Sequence, residues 1–270
     1  MMFQSSNRTP LFAAMAGLTL LGAGGGYLYS QRANNGVSDD SVQSANAAAD
    51  RASVAAGMSA TDRKATEAVV RSYILENPEI LTEAAQILEQ RAVAKRLDAA
   101  GSKLTTAFAG ASDGNPKGDV TLVEFTDYNC GFCRSSVADV QKMIGSDKNL
   151  RVVFREVPIL SESSRDAAKW ALAAAKQGKH KAFHDAMFEG DKPSDASIRL
   201  AAQKAGLDMA KAEADASSEV VSAEIEANLA MMQKLGVGGT PAFIIGDQIL
   251  EGALGYDALK QAVADVRKPN

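Results

Sequence analysis

Sulfur and imidazole are scarce in this chain of 270 residues, which holds two cysteines and two histidines. The cysteines, Cys130 and Cys133, stand three apart. A bridge between them would close almost no loop and remove little unfolded-state entropy, so a purely structural disulfide is a poor reading. A zinc site would have to recruit His180 and His184, giving C-x2-C, a gap of 46 residues and then H-x3-H, far outside zinc-finger spacing. Covalent c-type haem needs a histidine directly after the second cysteine, where Arg134 stands. Excess positive charge is missing too: 29 Lys and Arg face 33 Asp and Glu, with no basic block. That balance argues against nucleic acid as a partner.

What is present is Cys130-Gly131-Phe132-Cys133 directly after the apolar run Val120–Phe125. A lone vicinal pair after a strand is the arrangement of a thiol-disulfide active site. The turn after the strand places Cys130 at the start of a helix and Cys133 one turn on, on the same face, so the two sulfurs can bond. Unpaired N–H groups and the macrodipole at a helix N-terminus favour negative charge on the first sulfur. Cys130 is therefore expected to be the nucleophile and Cys133 the resolving thiol. Copper(I) capture by the same two thiolates is the competing reading, because soft thiolates suit that ion. A redox-inert scaffold that recruits partners is a third.

Charge is absent between Arg8 and Arg32, and Leu11–Tyr29 is a mostly apolar stretch of 19 residues. Such a stretch spans a bilayer or serves as a signal sequence. Arg8 before it keeps the N-terminus cytoplasmic and sends the rest across. Gly22, Gly24 and Gly26 would suit a cleavage site, whereas the length and the pair Tyr27 and Tyr29 favour a retained anchor. The expected location is the periplasm, tethered to the inner membrane by residues 11–29 or free if the segment is cleaved.

Large apolar residues are nearly absent from residues 31–60, which read as a disordered linker. Residues 61–110 form a helical extension, broken at Asn77-Pro78, where Asn can cap and Pro can open a new helix. Its residues Ile80, Leu81, Ile87 and Leu88 make an apolar stripe that must find cover, on the body or on another copy. Asp113–Gly118 is a loop, and residues 115–270 form the main domain. Strands are predicted at Val120–Phe125 and Leu150–Phe154, with helices over 161–235 punctuated by Gly178, Pro193 and Gly206 and ended by Gly236. A hairpin at 242–250 and a helix at 256–266 close the chain. This order is α/β, a thioredoxin-like fold with a helical insertion, preceded by an N-terminal helical extension.

The stretches Val123–Cys133 and Gly236-Val237-Gly238-Gly239-Thr240-Pro241-Ala242-Phe243 resemble the DsbA family of exported thiol-disulfide oxidoreductases. Val70–Leu81 is similar to the helical extension of its ScsC subgroup, the suppressor-of-copper-sensitivity proteins. The resemblance implies a cis bond at Thr240-Pro241 facing the cysteines and a substrate segment paired beside it. It also implies that Glu124 accepts the proton of Cys133 during resolution. The residues alone leave Glu124 open, since a carboxylate in an apolar strand can also turn to solvent. Likewise Trp170, Phe183, Met187, Phe188, Met231 and Met232 could line a peptide groove, yet at helical spacing they read better as core. His180 and His184, one turn apart, read as surface helix residues.

The resemblance further implies thiol- or disulfide-containing exported proteins as substrates, a DsbB-like or DsbD-like membrane redox partner, a possible homotrimer, and no organic cofactor. Gly131-Phe132 departs from the Pro-His of the best-known DsbA oxidases, and Thr240 before the proline looks more like the isomerases. The direction of exchange is thereby left open.

Overall fold

A computed structural model describes residues 39–268. The apolar stretch 11–29 lies outside the described residues; among those described, no helix is long and apolar enough to cross a membrane. The chain divides after Leu81 into two compact units.

The first unit is helical, with α1 (Asp39–Ala55) and α2 (Ala60–Glu76). α1 occupies much of the stretch expected to be a disordered linker. Six of its 17 residues are Ala, the strongest helix former, and its side chains stay almost entirely exposed. Lack of a core does not imply lack of a helix, because propensity alone favours one here. α2 opens with a capping box between Ser59 and Asp62. Asn77 closes α2, its side-chain amide donating to the Tyr73 carbonyl at 2.8 Å, and its own carbonyl accepts the Ile80 N–H at 3.3 Å in the first turn of the next helix. Val69, Val70, Tyr73 and Leu75 are exposed on α2.

α3 (Glu79–Ala100) begins at the division, and its later turns belong to the second unit. There a five-stranded sheet has the order β1-β3-β2-β4-β5, with β1 (Ser112–Gly114), β2 (Val120–Thr126), β3 (Leu150–Glu156), β4 (Ala242–Ile245) and β5 (Gln248–Glu251). β2 and β3 are parallel, and the other pairs are antiparallel. β1 was expected as loop, because Ser-Asp-Gly has poor strand propensity; it pairs through its backbone with Val153 to Arg151 of β3.

The two faces of the sheet follow the period of two along β2 and β3. Val120, Leu122, Val152 and Phe154 pack against Val140 and Met143 of α5 (Gly131–Ser146) and against Leu259 and Val263 of α11 (Tyr256–Val266). Val123, Phe125 and Val153 pack against Leu97 of α3, Leu104 of α4 (Ser102–Thr105), and Met232 and Leu235 of α10 (Glu219–Leu235). Between β3 and β4 lie α6 (Glu162–Lys176), α7 (His180–Glu189), α8 (Asp195–Lys204), α9 (Met209–Ala216) and α10. Ser161, Ser194, Asp208 and Ser218 cap α6, α8, α9 and α10 with their side chains. Gly236, left-handed at φ 75°, ends α10.

The boundary between extension and main domain therefore differs from the expected 110–115. Leu97 and Leu104 are part of the sheet's core, and the buried guanidinium of Arg155 donates to the carbonyls of Lys103, Leu104 and Thr106. An amphipathic stripe in sequence does not say whose surface covers it, and here the later part of the stretch is covered by its own sheet.

Candidate active site

The end of β2 positions the cysteines through main-chain donors. The Asp127 carboxylate accepts from the N–H of Asn129 at 2.8 Å and from those of Ile159 and Leu160 at 2.9 and 3.0 Å. This stitches the loop before Cys130 to the loop after β3. The Cys130 N–H then donates to the Asp127 carbonyl at 3.0 Å. Cys130 becomes the N-cap of α5, in the extended conformation, and its Sγ accepts the Cys133 N–H at 3.3 Å. A sulfur so placed receives an orphan helix donor and the positive end of the helix.

Far along the chain, the Thr240–Pro241 bond is cis. The Cys130 thiol donates to the Thr240 carbonyl at 3.2 Å, across 110 residues of sequence. Both cysteines are free thiols in this arrangement. They differ in access: Cys130 is 7% exposed and Cys133 fully buried. Burial holds the Cys133 thiol well above the ordinary thiol range. Phe132, between them, stands 68% exposed. Arg134 directs its guanidinium to the carbonyls of Phe188 and Gly190 at the end of α7. Iodoacetamide should accordingly modify Cys130 about tenfold or more faster than Cys133 in the reduced protein, read by mass spectrometry of the peptides. Equal rates would reverse the assignment of nucleophile.

Glu124 does not turn to solvent. It is 1% exposed, on the sheet face that α5 covers, and neither of its oxygens has a hydrogen-bond partner. Burial, with the charge of Glu156 second, pushes its carboxyl up to about 8. Cys133 lies on the buried side of α5 with Ser136, Val140 and Met143, and packs in one cluster with Cys130 and Tyr128. The structure thus brings Cys130 to the Thr240 carbonyl beside the cis bond, with Cys133 one turn behind, and places Glu124 on the sheet face that the cysteines' helix covers.

His180 and His184 are not surface residues: they are 2% and 4% exposed. His180 Nε2 donates to Glu156 Oε1 at 3.0 Å, and the Tyr128 hydroxyl donates to the same oxygen at 3.1 Å. With its proton so directed, Tyr128 accepts from His184 Nδ1 at 3.2 Å. Burial, then the neighbouring His180, holds His184 well below the ordinary imidazole range. The one cluster of metal-ligand type among the described residues is Glu156, His180 and His184, and it includes neither cysteine. Glu156 Oε1, His180 Nε2 and His184 Nδ1 are engaged with one another or with Tyr128, while Glu156 Oε2 and His180 Nδ1 are buried without a partner, so the cluster reads as a partly satisfied hydrogen-bonded network. Phe183, Met187 and Phe188 of the suggested groove are buried around Tyr128, Met232 is buried against the sheet, and Trp170 and Met231 are partly buried against the core.

Residues 121–264 match the DSBA-like thioredoxin domain. The chain belongs to the DSBA-like thioredoxin family. Residues 62–95 match the copper resistance protein ScsC N-terminal domain, in line with the ScsC resemblance. A thioredoxin-like oxidoreductase from Silicibacter pomeroyi is 41% identical, covering 63% of this chain and 99% of its own, at a TM-score of 0.60. A linker-deletion mutant of Proteus mirabilis ScsC is 29% identical, covering 77% of this chain and 96% of its own, at 0.62. Among curated proteins, the Na(+)/H(+) antiporter NhaA 3 of Salinispora tropica is 26% identical over 147 residues, 53% of this chain. The chain spans only 22% of that antiporter's length. Asp127, Tyr128 and Glu156 are the residues around the cysteines that sequence reasoning missed. Their one signal was charge at the end of an apolar strand, as at Arg155-Glu156.

Proposed function

We propose that this protein is an exported thiol-disulfide oxidoreductase that forms or isomerises disulfides in envelope proteins through Cys130 and Cys133. The observation that carries this reading is the pairing of a sulfur at a helix N-cap, which accepts the Cys133 N–H and keeps a small exposure, with a fully sealed one a turn behind it. In isomerisation the Cys130 thiolate attacks a substrate disulfide, one substrate sulfur leaves with the electron pair, and a mixed disulfide remains. A different substrate thiolate then attacks the mixed disulfide, and Cys130 leaves as thiolate with no net redox change; where none does, Cys133 loses its proton to Glu124 and attacks Cys130, which releases the second substrate thiolate and leaves the substrate reduced and the two cysteines bonded. Run as an oxidase, the sequence reverses from the Cys130–Cys133 disulfide. Thr240 and Pro241, beside Cys130, are the place for the substrate main chain.

Residues 1–30 serve in this reading as signal anchor or signal peptide, which puts the protein in the periplasm. A membrane redox partner, DsbB-like or DsbD-like, resets the cysteines and fixes the direction. α2 carries exposed Val69, Val70, Tyr73 and Leu75, and α3 exposed Leu81, Ile87 and Leu88, apolar side chains that self-association would cover, most simply as a homotrimer. Several Cys130 thiolates on one assembly raise the local concentration at a misfolded substrate and favour isomerisation.

A chain begun at Thr82 should be monomeric, keep thiol exchange and lose the ability to reactivate scrambled ribonuclease, which the full chain restores. Unscrambling that survives in the monomer would overturn the role given to the extension. A chain begun at Gly110 should instead misfold. It lacks Leu97 and Leu104, worth roughly 2 kcal/mol each in burial, and it strands the Arg155 charge without its three carbonyls.

Copper(I) handling by the same thiolates is favoured by one observation, the match of residues 62–95 to an N-terminal domain described as that of a copper resistance protein. Tight copper(I) binding without any disulfide exchange would replace the first reading with this one.

A further inference from the structure

Strands β2 and β3 run in a register that sets Glu124 beside Phe154 and Thr126 beside Glu156. Glu124, Thr126 and Glu156 therefore rise from one sheet face, the face covered by α5 with Cys133 on its buried side. Four polar atoms there are sealed without a partner: both oxygens of Glu124, Thr126 Oγ1 and Glu156 Oε2. Two carboxyl groups in so dry a place cannot both ionise at low cost. The donors are unequally shared. Glu156 Oε1 receives His180 Nε2–H and the Tyr128 hydroxyl, while Glu124 receives none. Charge is thus better tolerated on Glu156, and the proton stays on Glu124. Tyr128 also ties this cluster to the active loop, since it stands two residues before Cys130.

We propose that Glu156 is a positioning residue for the exchange: held by His180 and Tyr128, its carboxylate keeps the proton on Glu124 and so sets the pH range in which Cys133 can be deprotonated. The proposal rests on the thiol-disulfide reading above. A protonated Glu124 cannot take the Cys133 proton. The Glu156 charge therefore delays the escape step and lengthens the life of the Cys130–substrate mixed disulfide, the interval in which a wrong disulfide can rearrange.

Other ionisable groups acting on this pair can be named. α7 brings His180 and His184, with Lys181 and Asp185 acting at longer range on His184 and Tyr128. The loop after β2 brings Asp127, its carboxylate occupied by three main-chain donors. α5 brings Cys133. From β4 and α11 the buried side chains on this face are Phe243, Ile245, Leu259, Ala262 and Val263, and Tyr256 packs against the same cluster with its hydroxyl donating to Ser146. Arg155 lies on the opposite face, paired with Glu224 at 2.9 Å.

The test uses the full chain, reduced, reacting with an aromatic nitrobenzoate disulfide. Cys130 thiolate attacks the probe and releases one coloured aryl thiolate. Cys133 then passes its proton to Glu124, bonds to Cys130 and releases the second; the protein loses two electrons and the probe gains them. The first release reports Cys130 alone and serves as the reference for each variant. In Glu156→Gln, whose amide oxygen still accepts from Tyr128, the pH midpoint of the second release should fall by about one unit. Tyr128→Phe, which removes one donor to Glu156, should move it the same way by less. In a Glu124→Gln background, Glu156→Gln should move nothing further, whereas a purely structural role would lower melting temperature and leave the midpoint alone. Midpoints equal to wild type in both single variants, or a shift that persists without Glu124, overturn the proposal. A wild-type protein that never releases the second thiolate overturns the exchange reading itself, and this proposal with it.

Discussion

Exchange of Cys133 for Ala should turn the protein into a trap that attacks substrate disulfides and cannot let them go. The reason lies in the unequal placement of the two sulfurs. Cys130 keeps its position at the N-cap of α5, because its acceptor bond comes from the main-chain N–H of residue 133 and survives the substitution. Attack on a substrate disulfide therefore proceeds, and the mixed disulfide has no neighbouring thiol to resolve it. Non-reducing gels of the cell envelope should show ladders of adducts that collapse on reduction. Cys130→Ala should abolish turnover, on the order of a thousandfold or more, since the remaining sulfur is sealed and burial keeps it protonated. The same Ala costs α5 its cap, about 1 kcal/mol, so the loss of activity should appear in a protein that is still folded. Adducts formed equally by both variants would show that the two sulfurs share the work. No adducts from Cys133→Ala would remove the oxidoreductase reading altogether.

Much of this site is legible in sequence because its chemistry is local. Cys130 and Cys133 fall on one helix turn whatever the rest of the chain does, and Val120–Phe125 before them needs only a period of two to declare a strand. The hairpin and α11 follow from Gly246-Asp247 and from the spacing of Leu259 and Val263. What escaped the sequence is long-range. His180 and His184 look like exposed residues one turn apart until β3 is seen to extend two residues beyond Phe154 and bring Glu156 under them. β1 is three residues of poor strand formers, and only the open edge of β3 makes it a strand. The ambiguity at Glu124 was of the same kind. Alternation along β2 gives Glu124 the same side as Leu122, but not whether a helix covers that side. Likewise Leu97 and Ile87 lie on one helix, yet the sheet covers the first and leaves the second 47% exposed.

Glu124→Gln should make the protein more stable and less active, with a pH dependence that identifies the cause. In an unfolded chain this carboxyl releases its proton near 4.5, whereas in the folded protein burial and Glu156 hold it to about 8. Between those values the folded state binds more protons than the unfolded one, so wild-type stability falls as pH rises through that window and levels off above it. Gln cannot ionise, and the fall disappears. The variant's advantage should therefore be small near pH 4.5 and grow toward pH 8. The interval from 4.5 to about 8 sets an upper bound of about 5 kcal/mol, at about 1.4 kcal/mol per pH unit. Urea unfolding of both proteins at several pH values measures it directly. Resolution of the mixed disulfide should slow in the same variant, while the first attack by Cys130 keeps its rate, because only the Cys133 step needs a proton acceptor. Stability gained by removing a group that the chemistry uses is the usual sign of a functional residue. Parallel pH–stability curves for the two proteins would place the titration elsewhere, and an unchanged second step would return Glu124 to the core as a carboxyl without a task.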